Sequence, residues 1–75
     1  MGYFVEAFRK DDDCLDSTTC YLNESSAIHA AGEFFMDWGE KIRSGDVVLA
    51  LYREKELRGE LELIRWLTVA DFFDQ

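Results

Sequence analysis

The sequence predicts an α+β domain of β-α-β-β order, one long helix packed on an antiparallel three-stranded sheet. Three observations carry that expectation. Asn23 to Arg43 separates apolar from polar residues when stepped at about 100° per residue. Asp46 to Glu54 and Gly59 to Leu67 alternate with a period of two. The chain has 75 residues, 48% hydrophobic and 15% aromatic, without proline, which suits one small globular domain over 1–75. Disordered acidic chains lack that aromatic content.

The elements follow in order. Tyr3 to Arg9, rich in aromatic and β-branched residues, reads as the first strand. Both of its faces are partly apolar, so alternation leaves open which one is buried. Asp11, Asp12, Asp13 and Asp16 mark an acidic loop. Thr18 to Leu22 fits either a short fourth strand (residues 18–22) or an extended lead into the helix.

In the helix, Ala27, Ile28, Ala31, Phe34, Phe35, Trp38 and Ile42 share the apolar arc. Ser26, His29, Glu33, Asp37 and Glu40 lie opposite. Asn23 supplies an N-cap, Glu24 suits the positive end of the helix dipole, and Gly45 a left-handed stop. Gly32 and Gly39 each cost about 1 kcal/mol relative to Ala in a helix interior, which points to a close neighbour along that border.

A turn at Lys55-Glu56 joins the last two strands. Leu61, Leu63 and Leu67 are expected on one face with Leu49 and Leu51, under Phe35, Trp38 and Ile42. Glu60, Glu62, Ile64 and Trp66 fall on the other, open face. A crossover through the helix makes the second strand parallel to the first and slots the third between them. Thr68 with Asp71 spells a capping box for a final short turn that docks Val69, Phe72 and Phe73.

Sixteen acidic against eight basic side chains leave a net charge of −8. That excludes direct nucleic-acid binding, whose affinity comes from Lys and Arg on phosphates, and docking on anionic membranes. It favours a basic partner and a monomer. No apolar run approaches the ~18–20 residues of a membrane span, and the N-terminus lacks a signal-peptide core, so a cytoplasmic protein with reduced Cys14 and Cys20 is expected.

The candidate chemistries are weak. Cys14, Cys20 and His29 match no zinc spacing, and the aspartates from Asp11 or Asp12 place neither the central Gly nor the final Glu of a calcium loop. His29 one turn before Glu33 is an ordinary surface pair. No nucleophile, oxyanion or phosphate-cradling motif accompanies it, so no catalytic residue, metal or cofactor is assigned, and the expectation is a protein that is not an enzyme.

The carboxylates form the one constellation above background. Glu33, Asp37 and Glu40 make a helix stripe, and Glu54, Glu56, Glu60 and Glu62 lie in or beside the hairpin. Neighbours about 6 Å apart on such elements resemble a phosphodiester track. The alternative is ordinary surface pairing, Asp37-Lys41, Glu40-Arg43 and Glu54-Arg58. In size, charge and architecture, though in no motif, the chain resembles the small acidic phage or mobile-element inhibitors of the anti-CRISPR type. The resemblance implies cytoplasmic action, no cofactor, and binding to a basic nucleic-acid-handling protein such as a Cas effector subunit, blocking DNA access by charge mimicry. The partner-binding candidates, read from the spacing alone, are Glu33, Asp37, Glu40, Glu60 and Glu62. A homodimeric assembly module, pairing through a sheet edge or an aromatic face of Phe4, Phe8, Tyr52, Ile64 and Trp66, is the competing class.

Overall fold

The computed structural model describes residues 2–11, 13–55 and 59–73. In chain order these form β1 (Gly2–Arg9), β2 (Cys14–Ser17), α1 (Glu24–Ala31), α2 (Phe34–Ser44), β3 (Val47–Glu54), β4 (Leu61–Leu67) and α3 (Ala70–Phe73). The α+β class holds, but the sheet has four strands, in the order β2-β1-β3-β4, and every neighbouring pair is antiparallel.

The predicted three-stranded order fails because the extra strand comes earlier than 18–22. Cys14–Ser17 folds back on β1 and reverses the chain before the helices begin. The helical crossover therefore links β2 to β3, and these two flank β1. Thr18 to Leu22 is mostly the extended lead, tied to β1 at two points. Val5 N–H donates to Thr18 Oγ1 at 3.0 Å, and Tyr3 and Tyr21 form an isolated bridge. Centrality explains why Val5 and Ala7 are fully buried. Their place in the core with Ala27, Ala31 and Phe34 settles which face of β1 meets the helices.

The single long helix is in fact two. At Gly32 and Glu33 the bonds tighten: Gly32 N–H reaches His29 O at 3.1 Å and Glu33 N–H reaches Ala30 O at 3.3 Å. A Cβ on Gly32 would sit 3.1 Å from His29 O, so the glycine makes room for its own backbone and not for a strand. Trp38 adds a second irregularity, with φ −131° and ψ 26° inside α2. The predicted caps are present. Asn23 accepts from Ser26 N–H at 2.8 Å, and Gly45 ends α2 at φ 91°.

The core lies between the sheet and the two helices. Ala27 and Ala31 are small enough to bring α1 down on β1, while Phe34 is the helical aromatic that is truly buried, at 6% exposure. Phe35, Trp38 and Ile42 pack against that core only in part. Leu49 and Leu51 join it, but Leu61 and Leu63 do not, being 52% and 42% exposed. The register explains this. Leu51 faces Arg65 while Tyr52 faces Leu63, so Ile64 is an extra residue in β4. One inserted residue turns every side chain beyond it to the opposite face. Ile64 packs on the core, and Leu61 and Leu63 join Tyr52 on the open face.

Candidate functional site

The acidic surface is built where β2 meets the junction of the two helices. β2 carries its own irregularity, since Ala7 pairs with Asp16 and Phe8 with Cys14, leaving Leu15 unpaired. Leu15 and Asp16 consequently both turn to the helix side, Leu15 onto the core and Asp16 into a groove. That groove, about 480 Å³, is lined by Asp16, Glu33 and Asp37 together with Thr18, Tyr21 and Met36. Met36 is 86% exposed beside these carboxylates. Asp16 has one oxygen occupied, accepting from Ser17 N–H at 2.8 Å.

Two of the five predicted residues therefore meet, and Asp16 joins them from the acidic loop, whose aspartates belong to the carboxylate constellation of the sequence but not to the five partner-binding candidates. The signal that would have found it is the β-bulge, which alternation in so short a strand does not reveal. Glu40 is exposed further along α2, beyond the break at Trp38, and does not line the groove. Glu60 and Glu62 belong to the other edge of the sheet, about 14 Å away across three strand spacings. Glu62 is also spoken for, paired with Arg53.

The ordinary explanation of the stripe as surface pairs fails for its helical members. Among the described residues the ion pairs are Arg53–Glu62 and Arg65–Asp71. Arg43 does not reach Glu40; its guanidinium lies 5.7 and 5.8 Å from the ring centres of Phe35 and Phe73. Gly39 gives it room, since a Cβ there would be 3.2 Å from an Arg43 Nη. The pair Glu54-Arg58, the turn at Lys55-Glu56 and the calcium reading from Asp12 fall on Asp12, Glu56 and Arg58, which lie outside the described residues.

The open face of the sheet carries the other cluster of titratable groups. Burial pushes the Glu6 carboxyl up. Burial first, and then the Glu6 charge, push up the Cys14 thiol and the Tyr52 phenol. A thiol shifted that way is a poor nucleophile, because the thiolate is the reactive form. Cys14 and Cys20 are both free and exposed. Among the described residues no group of three or more His, Cys, Asp or Glu is placed to hold a metal ion, and no helix is long and apolar enough to cross a membrane.

No family model matches the sequence, and comparison with curated proteins and with solved structures gives no significant match.

Proposed function

We propose that this is a non-enzymatic acidic inhibitor that binds a basic, nucleic-acid-handling protein through the groove of Asp16, Glu33 and Asp37. The observation that carries the reading is that these carboxylates line one groove with no cationic partner among the described residues, in a chain of net charge −8. Carboxylates left unpaired keep their field available to steer a cationic partner. Met36 beside them offers an apolar contact for the stem of an incoming Lys or Arg. Glu40 extends the negative field along α2, whereas Glu60 and Glu62 have no part in this surface. The anti-CRISPR resemblance supplies the partner class to try first, a Cas effector whose DNA groove is cationic.

The test is charge reversal. Glu33→Lys with Asp37→Lys should leave the thermal unfolding curve near the parent's, since both side chains are exposed. The double variant should lose inhibition across a set of purified Cas effectors that the parent inhibits. DNA should compete with the parent, and inhibition should weaken as the Debye length falls from about 10 Å at 0.1 M salt to about 3 Å at 1 M. A folded double variant that inhibits as well as the parent sinks the groove as the binding site.

A further inference from the structure

The strand register sorts charge by face. Residues directly opposite one another share a face, and buried Val5, Ala7, Leu49 and Leu51 mark the helix side. Arg9 lies opposite Val47, Arg53 opposite Tyr3, and Arg65 opposite Leu51, so all three strand arginines belong to that side. The open side holds the carboxylates of Glu6 and Glu54 and, among the described residues, no strand cation. Neither carboxylate has an ion-pair partner among those residues.

Around these carboxylates the face is aromatic and apolar. Phe4 and Tyr52 stack on one another with centroids 5.4 Å apart and planes 19° apart, so each ring takes up one face of the other. Trp66 is 53% exposed, and the bulge in β4 adds Leu61 and Leu63. Ala50, fully buried, lies directly between Glu6 on β1 and Trp66 on β4.

We propose that this open sheet face is a docking surface for a protein partner that presents arginine side chains among apolar ones. A guanidinium is the group that both stacks on aromatic faces and forks onto a carboxylate, and it is more weakly hydrated than an ammonium. Glu6 is already half withdrawn from water, so an arginine reaching it forms its pair in a low-dielectric setting.

A second copy of the chain fits less well. Strands of at most eight residues and three strand spacings give a face of no more than about 400 Å². Two such faces bury about 800 Å², below a stable dimer and in the range of weak, transient encounters. Each face would also bring the carboxylates of Glu6 and Glu54 and no strand cation among the described residues to meet them, in chains of charge −8 each. Edge pairing through β4 is opposed by its bulge. The face lies across the sheet from the acidic groove and does not depend on that groove being a binding site.

The two tryptophans report on the two sides, since Trp66 is on the open face and Trp38 packs under α2. The probe is a short synthetic peptide of alternating Arg and Leu, titrated into the intact chain and followed by the indole N–H resonances. Saturable movement of Trp66 with Trp38 unmoved is expected. Replacing Arg by Lys in the peptide should weaken binding several-fold, and Glu6→Gln or Trp66→Ser should weaken it about tenfold, the effect of removing one such contact. Trp66 faces solvent, and should its replacement nevertheless perturb the fold, Glu6→Gln carries the test. No movement of Trp66 overturns the proposal, as does movement of Trp38 and the Glu33 and Asp37 amides in its place. Binding indifferent to Glu6→Gln overturns it too. Trp66 shifting with protein concentration alone, together with a doubled mass, would overturn it by assigning the face to a second copy.

Discussion

At the scale of residues, two carboxyl groups respond to the fold in opposite directions. Burial would raise Asp71, but it accepts from Thr68 N–H at 2.7 Å and from Arg65 at 2.8 Å, and these bonds win and hold its carboxyl below the usual value. A lowered pKa contributes stability that is present above the unfolded value of about 3.9 and lost as pH falls through the folded one. Asp71→Ala should therefore cost about 1 kcal/mol near neutral pH, the worth of a cap, and lower the Tm by roughly 4–8 °C. The gap between variant and parent should narrow toward pH 2; a constant gap would mean the ionised form is not what matters. Glu6 is the reverse case. Its raised pKa contributes stability present below the unfolded value of about 4.3 and lost as pH rises through the folded one. Glu6→Gln should consequently melt higher than the parent at pH 7 and alike at pH 3. A lower melting temperature at pH 7 would show Glu6 to be a stabilising group.

At the scale of elements, the break between α1 and α2 decides which aromatic holds the core. A continuous helix would centre its apolar arc on Ala31 and Trp38, with Phe34 at one edge. The turn at Gly32 and Glu33 instead drives Phe34 inward, to 6% exposure, tilted against Trp38 at 6.1 Å. Phe35 is left at the rim, edge-on to Phe72 and Phe73 at 4.9 and 5.1 Å, where α3 closes the layer. Truncating a buried Phe costs about 3–5 kcal/mol, a large part of the 5–15 kcal/mol that holds a domain together. Phe34→Ala should thus lower the urea midpoint far more than Trp38→Ala, although Trp loses more atoms. The opposite order would restore Trp38 as the centre of the core.

At the scale of the whole molecule, charge is segregated and unbalanced. With −8 on a chain whose radius of gyration is 11.9 Å, the carboxylates repel across distances that dilute salt does not screen. The two ion pairs among the described residues, on the other side of the balance, are both solvent-accessible and worth about 0–1 kcal/mol each. Repulsion outweighs them, so raising NaCl from about 0.01 M to 0.5 M, which shortens the Debye length from about 30 Å to under 10 Å, should raise the Tm by a few degrees. A fall would mean that attractive pairs dominate. Partner binding through the acidic groove should move the other way with salt, so stability and affinity become separable in one titration series.

Local chemistry was legible in the sequence wherever one residue acts on its own backbone. Asn23, Gly45 and the Thr68-Asp71 pair announce helix ends because their hydrogen bonds and φ angle are satisfied within a few residues. The alternation of β1 and β3 survives intact because both are central strands, held to one phase by neighbours on each side. Arg65, falling in the same phase as Leu61, Leu63 and Leu67, was the one visible sign that β4 slips. What tertiary structure alone decided were the features set by pairing partners far along the chain. Those are the bulges at Leu15 and Ile64, the seat of β1 between β2 and β3, and hence the faces on which Asp16, Leu61 and Leu63 emerge. A strand's own period of two is blind to an inserted residue, because only the register against its neighbour counts which side chain stands opposite which.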